Sequence, residues 1–226
     1  MGDTPAPGAF LERLGPADRA AMLAAGRPRR YRAGEMLFVA GDPGGFVVLI
    51  TEGRAKVVAA TASGVETVLS LRGPGDLIGE LTAMDDDRAP RTATVAALDP
   101  VVCRVVAASD FRELVAAHGG IAVELLRMLA GRLRESSRRL VEFGGYDTTR
   151  RLARLLTDMA DAAGRTAGGR VVLPTGLTQE DLAGLVGASR ESIARGLAAL
   201  RARGFVATGR RSVQVLDPEG LRAYGR

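Results

Sequence analysis

Arg190, Glu191 and Arg195 are side chains of the types that read base edges in a DNA groove. An arginine fork fits guanine O6 and N7, and a carboxylate accepts from cytosine N4. All three fall on the first turns of a short amphipathic helix with Ser189 at its N-cap position. Another short helix precedes it, opening at Thr178 with Asp181 three residues on, and Gly187 marks the turn between the two. Thr178, Gln179, Ser189 and Ser192 join the three as candidate DNA-contacting residues. The pattern is a helix-turn-helix with a recognition helix; an ordinary αα-hairpin with a solvated charged face is the alternative.

A second constellation lies at Gly79-Glu80-Leu81 and, eleven residues after the glutamate, Arg91-Thr92. An acid, an arginine, a hydroxyl and a turn-permissive glycine are brought together here within an apolar segment. A ribose offers a 2′-OH to a glutamate, and a phosphate suits an arginine fork beside the amides of a helix start. A solvated cross-strand Glu–Arg pair is the competing account.

The elements that must position these groups change texture along the chain. Residues 9–25 read as short helices broken at Gly15-Pro16. From Arg29 to about Ala108, short runs of Val, Ile, Leu and Thr alternate with glycine turns at 41–45, 52–53, 63–64 and 73–75, which implies a β-sandwich, roll or barrel. Ser109-Asp110 is expected to cap a short helix. A long helix from about Ile121 to Phe143 follows, with Ala122, Leu126, Leu129, Leu133, Ser136, Leu140 and Phe143 at alternating spacings of four and three. That is a two-helix coiled-coil seam, or else a stripe packed on the chain's own β-domain. Gly144-Gly145 should break this helix, and Asp147 should cap the next. A strand at VVLP, the helix-turn-helix, a hairpin turning near Gly209-Arg210 and a last helix at PEGLRAYG complete the chain.

The chain has 226 residues, 46% of them hydrophobic and 25% charged, enough for a real core. Its net charge of +5 is unevenly placed. Residues 146–226 hold 13 Arg against 8 acids, a balance of +5, and residues 1–145 hold 18 of each sign. The excess sits with the helix-turn-helix, as a domain that meets phosphates requires. The one cysteine, Cys103, excludes an internal disulfide and an iron–sulfur or four-cysteine metal site within one chain, and VVCRVV makes it a buried small hydrophobe. His118 is the one histidine and stands before Gly119-Gly120, the setting of a helix C-terminus rather than a haem ligand. No apolar run approaches the ~20 residues of a membrane span, and no basic n-region precedes an apolar stretch at the N-terminus. The expectation is a cytoplasmic protein without metal, haem or membrane. No GxxxxGK[ST], HExxH or GxSxG motif argues for an enzyme.

IGEL…PRTATV, YRAGEMLFVAGDPGG and LTQEDLAGLVGASRESIARGL, in their order along residues 9–226, resemble the CRP/FNR family of bacterial transcription regulators, and within it the cyclic-AMP receptor proteins. The resemblance implies an α+β chain with an N-terminal β-roll (a cyclic-nucleotide-binding-like jelly roll), a long dimerisation helix and a C-terminal winged helix-turn-helix. The divisions would fall at 1–118, 119–145 and 146–226. It implies cyclic AMP as effector, with Gly79 and Glu80 at the ribose, Leu81 beside them, and Arg91 with Thr92 at the phosphate. Ser136 and Ser137 would meet the purine from the two subunits of a homodimer. By its residue type alone, Ser136 reads as a polar position that sets the register of the seam. The resemblance further implies a palindromic operator with half-sites resembling TGTGA, and RNA polymerase as a candidate partner. The loop 82–90 is longer than in the cyclic-AMP receptors and carries Asp85, Asp86 and Asp87. If Arg151 touches only backbone phosphate, its replacement by alanine should weaken binding to all DNA alike.

Overall fold

The computed structural model describes residues 9–60, 66–85, 89–163, 171–172, 176–209 and 212–226. They form two compact units, one up to Glu135 and one from Ser136.

The first unit opens with α1 (Phe10–Arg13) and α2 (Pro16–Ala24), divided at Gly15 as the sequence suggests. Pro16 sits at the start of α2, where its missing N–H is not needed. Eight strands follow: β1 (Arg27–Tyr31), β2 (Met36–Phe38), β3 (Phe46–Glu52), β4 (Ala55–Ala60), β5 (Glu66–Arg72), β6 (Leu77–Ile78), β7 (Thr94–Ala97) and β8 (Val101–Ala107). They make two four-stranded antiparallel sheets, ordered β1-β8-β3-β6 and β2-β7-β4-β5. This is the β-roll. The tight β3–β4 turn needs Gly53, whose φ is +77° and whose added Cβ would lie 2.0 Å from the Pro100 carbonyl oxygen. The expected turn at 63–64 lies outside the described residues.

Strand β3 shows why the roll holds together. Its alternate residues face two different cores, Val48 and Ile50 one and Val47 and Leu49 the other. The first core lies between the sheets, with Val95, Ala97 and Cys103; burial pushes the Cys103 thiol up to about 11, so it stays neutral as expected. The second core gathers Phe10, Met22, Phe111, Ile121 and Leu125 from the helices. Each fully buried side chain of this size contributes about 1.5–3 kcal/mol.

Helix α3 (Glu80–Met84) lies between β6 and β7, and α4 (Ala108–Ala117) follows β8. The expected Ser109 cap is not formed. α4 begins two residues earlier, with Ala107 at the cap and no side-chain cap bond, and Ser109 donates to its neighbour Asp110 (3.0 Å). Ala108 and Phe111 are buried, so packing rather than a cap fixes where this helix starts.

Helix α5 (Gly119–Gly145) carries two stripes. Ile121, Leu125, Met128 and Leu129 belong to the helix-side core. Leu126, Leu133 and Leu140, seven apart, are 68%, 69% and 70% exposed. The two readings of the heptad pattern therefore divide: Leu129 serves the β-domain, and the leucines at seven-residue intervals do not. The expected break lies just after the glycine pair: α5 includes Gly144 and ends at Gly145, and the next helix begins at Thr148. Two glycines cost the helix about 2 kcal/mol relative to alanine. Around them, Tyr146 N–H still donates to Glu142 O (3.0 Å), and the buried Glu142 carboxylate is held by Arg138 (3.1 Å) and Arg154 (2.9 Å). Those contacts keep the last turn helical.

In the second unit α6 (Thr148–Ala163) is capped by Asp147, whose Oδ1 accepts from Arg150 N–H (2.9 Å). Then come β9 (Val171–Val172), α7 (Gln179–Val186), α8 (Arg190–Ala202), the hairpin β10 (Val206–Gly209) and β11 (Ser212–Val215), and α9 (Pro218–Gly225). β11 pairs with β10 and β9, forming a wing beside the two helices. The tip, Arg210 and Arg211, lies outside the described residues, as does the 173–174 end of the expected strand. Leu152, Leu156, Leu182, Ile193, Leu200, Val215 and Leu221 are buried here.

Candidate effector pocket and DNA-reading helix

Gly79 ends β6 with φ +85° and turns the chain into α3. An added Cβ would lie 2.5 Å from an Arg91 nitrogen and 3.2 Å from the Phe46 carbonyl oxygen. The glycine is required both by its backbone angle and by how closely Arg91 approaches. Arg91 is 3% exposed. Its Nη1 donates to Gly79 O (3.1 Å) and Thr82 Oγ1 (2.9 Å), and its Nη2 to Phe46 O. The guanidinium lies over the Phe38 ring at 4.2 Å and the Phe46 ring at 4.6 Å. Its Nε is buried with no hydrogen-bond partner. Burial pulls its pKa below the ordinary arginine value, with Glu80 and Asp42 acting the other way.

Glu80, also buried, does not lie free for a ligand. It is paired with Arg132 of α5, whose other nitrogen donates to Leu77 O (2.7 Å). The Glu80-to-Arg91 spacing thus does bring Gly79, Glu80 and Arg91 together, and not as a solvated cross-strand pair. Leu81 and Thr92 are exposed at its edge. Asp85 is exposed as well, and Asp86 and Asp87 lie outside the described residues. Ser136 and Ser137 are exposed on α5. Sequence reasoning missed Arg132, Thr82 and the two phenylalanines. Phe38 and Phe46 are two of only six phenylalanines in the chain, a weak signal that could have been used. Arg132 had none, since it lies 52 residues from Glu80 on a helix flank rich in arginine.

At the other site, Thr178 and Asp181 form a capping box. Thr178 Oγ1 accepts from Asp181 N–H (3.0 Å), and Asp181 Oδ2 accepts from Thr178 N–H (2.8 Å). Gly187, at φ +65°, ends α7, and its added Cβ would lie 2.4 Å from the Phe143 ring. Ser189 caps α8 by accepting from Ser192 N–H (3.2 Å). Gln179, Arg190, Glu191 and Arg195 are exposed and Ser192 is half-buried. Glu191 is held below the usual carboxylate range by a bond from its own backbone N–H, by Ser189 and by the charges of Arg190 and Arg195. It is an acceptor at neutral pH, as pairing with cytosine N4 demands.

Arg151 is engaged inside the unit. Its guanidinium donates to Tyr146 O (2.6 Å), Val186 O (3.1 Å) and Gly187 O (3.3 Å), and lies 5.3 Å from the centre of the Phe143 ring. The carbonyls left open at the C-terminal end of α7 attract a cation. Arg151 fastens the turn of the helix-turn-helix to the start of α6.

Residues 28–118 match the cyclic nucleotide-binding domain, and residues 150–224 the Crp-like helix-turn-helix domain. The CRP-like cAMP-activated global transcriptional regulator of Mycobacterium tuberculosis is 32% identical over 200 residues, 88% of each chain. The cyclic AMP receptor protein of Thermus thermophilus is 29% identical, over 84% of this chain and 83% of its own. Among solved structures, the c-di-GMP responsive regulator CLP of Xanthomonas campestris shares the fold with a TM-score of 0.77 at 23% identity, over 90% of this chain and all of its own. With an N-terminal cyclic nucleotide-binding domain and a C-terminal helix-turn-helix, the chain belongs to the CRP/FNR family of DNA-binding transcription regulators.

Proposed function

We propose that this regulator is a cytoplasmic homodimer switched by cyclic AMP. The observation that carries the reading is Arg91. A buried guanidinium with an unpartnered Nε and, among the described residues, no carboxylate bonded to it is an expensive arrangement unless an anion completes it. A cyclic phosphodiester supplies one negative charge and fits a fork backed by Thr92. Glu80, whose pairing with Arg132 uses one of its two carboxylate oxygens, would accept a ribose 2′-OH on the other, with Gly79 and Leu81 beside it. Glu80 also holds Arg132, so a ribose that engages Glu80 acts on α5 as well. Ser136 and Ser137 would meet the purine, one from each subunit, and the leucines exposed at seven-residue intervals would form the seam. The names of the Mycobacterium tuberculosis and Thermus thermophilus relatives favour cyclic AMP over other nucleotides.

On this reading residues 1–118 hold the effector, 119–145 make the dimer and 146–226 bind DNA. Arg190, Glu191 and Arg195 read base edges, with Thr178, Gln179, Ser189 and Ser192 around them. Two recognition helices then enter successive major grooves about 34 Å apart. RNA polymerase is the candidate protein partner.

Calorimetric titration of the purified protein with cyclic AMP and cyclic GMP tests the effector. Cyclic AMP should bind, and Arg91→Ala should abolish binding while circular dichroism shows the fold intact. Glu80 and Arg91 already have protein partners, and this favours one second reading, a regulator that needs no nucleotide. Absence of heat with either nucleotide would select that reading, and unchanged binding by Arg91→Ala would remove Arg91 from the pocket.

A further inference from the structure

Three side chains of the recognition helix are linked, and the linkage has a direction. Ser189 Oγ accepts the Ser192 N–H (3.2 Å) and lies within hydrogen-bonding distance of Ser192 Oγ (3.1 Å). Ser192 Oγ in turn accepts from Arg195 Nη2 (2.9 Å). The Ser192 hydroxyl is engaged within the helix on both sides, and the bond it accepts from Arg195 fixes the end of that side chain. Arginine has five N–H donors, so this bond leaves a two-donor edge free to fork onto a base.

The helical spacing makes the arrangement local. Residues 189, 192 and 195 are three apart and share one face, and the N-cap serine at their head is already anchored by the helix start. Ser192 is half-buried and Arg195 exposed, so the inner partner is the fixed one. An exposed arginine otherwise loses much of its rotamer freedom when it binds. A side chain held beforehand has less to lose, and a group held in one direction discriminates between bases better than one that swings.

We infer that Ser192 is a positioning residue, which through Ser189 aims Arg195 and so sets how strictly one base pair of each half-site is read. The inference rests on the recognition-helix reading above. It assigns Ser192 a role in sequence discrimination, not only in affinity. The conservative change Ser192→Thr keeps the hydroxyl, and Ser192→Ala removes it while leaving the backbone N–H to Ser189 in place.

The test uses the full-length protein with saturating cyclic AMP and the palindrome recovered by selection from random duplex DNA. Each base pair of the half-site is then varied singly. Arg195→Ala identifies the base pair that Arg195 reads, by the loss of preference there. Ser192→Ala should reduce discrimination at that base pair several-fold, a part of the roughly 5- to 150-fold that one good base contact provides. It should leave preference at the other positions unchanged, and Ser192→Thr should restore the lost part. In an Arg195→Ala background, Ser192→Ala should have no further effect on discrimination. A Ser192→Ala protein that binds every variant more weakly by one common factor, or discriminates as well as wild type, would overturn the inference. If Arg195→Ala itself leaves every preference intact, the recognition-helix reading fails too, a result distinct from failure at Ser192 alone.

Discussion

Glycine at position 79 is needed for two separable reasons, and a pair of substitutions separates them. Gly34 and Gly79 share a φ of +85°, yet an added Cβ at Gly34 meets nothing within 4 Å, while at Gly79 it lies 2.5 Å from the Arg91 guanidinium. Alanine at either position should lower stability by about 1–2 kcal/mol through left-handed backbone strain. Only Gly79→Ala should also displace Arg91 and weaken cyclic-nucleotide binding, as thermal melts and calorimetry on both variants would show. Equal binding by the two would mean that Arg91 can shift without loss. At this scale the sequence was informative where the chemistry is local. Gly79, Glu80 and Arg91 lie within one short stretch, and their types alone suggested a pocket. Arg132 and Phe38 reach the same place from elsewhere in the chain, through tertiary packing that no spacing rule encodes. The carbonyls of Tyr146, Val186 and Gly187 around Arg151 are likewise gathered by tertiary packing that its position in the sequence does not show.

Helix α5 was legible in its existence and nearly in its length, the observed helix extending two residues further at each end. A glycine pair is a strong stop signal by propensity, and the helix does stop there, with Gly145 as its last residue and Glu142 of the last turn held by Arg138 and Arg154. The heptad pattern was sound, yet it merged two faces that only packing distinguishes. That distinction improves the design of a dimer test. Leu129 packs on the roll's own core, so an aspartate there would damage the subunit itself. Leu126 and Leu133 are exposed in the single chain, so Leu126→Asp with Leu133→Asp should leave subunit folding nearly untouched. In a dimer the same change would bury four carboxylates along the seam, each costing several kcal/mol. Sedimentation should show monomers with wild-type circular dichroism. A doubly substituted protein that still sediments as a dimer would place the subunit contact away from this stripe.

At the scale of the whole molecule, charge and effector control can be joined in one thermodynamic statement. The charge excess of +5 is confined to residues 146–226, so affinity for any DNA should fall steeply with salt, and sequence preference must come from the few base-reading side chains. A nucleotide bound in the first unit changes DNA affinity only to the extent that it binds one state of the protein better than another. Such coupling is reciprocal: whatever factor cyclic AMP adds to operator affinity, the operator must add to cyclic-AMP affinity. Typical couplings of 1–3 kcal/mol correspond to about 5- to 150-fold. The expected outcome is therefore a matched pair of measurements: operator binding with and without saturating cyclic AMP, and calorimetric cyclic-AMP binding with and without the selected palindrome. The two ratios should agree and exceed about fivefold at fixed salt. The selected palindrome should carry half-sites about 10 base pairs apart, one helical turn, as two-fold symmetry requires. Ratios of one in both directions, with cyclic AMP still bound, would show that the nucleotide does not drive the switch even though the pocket accepts it.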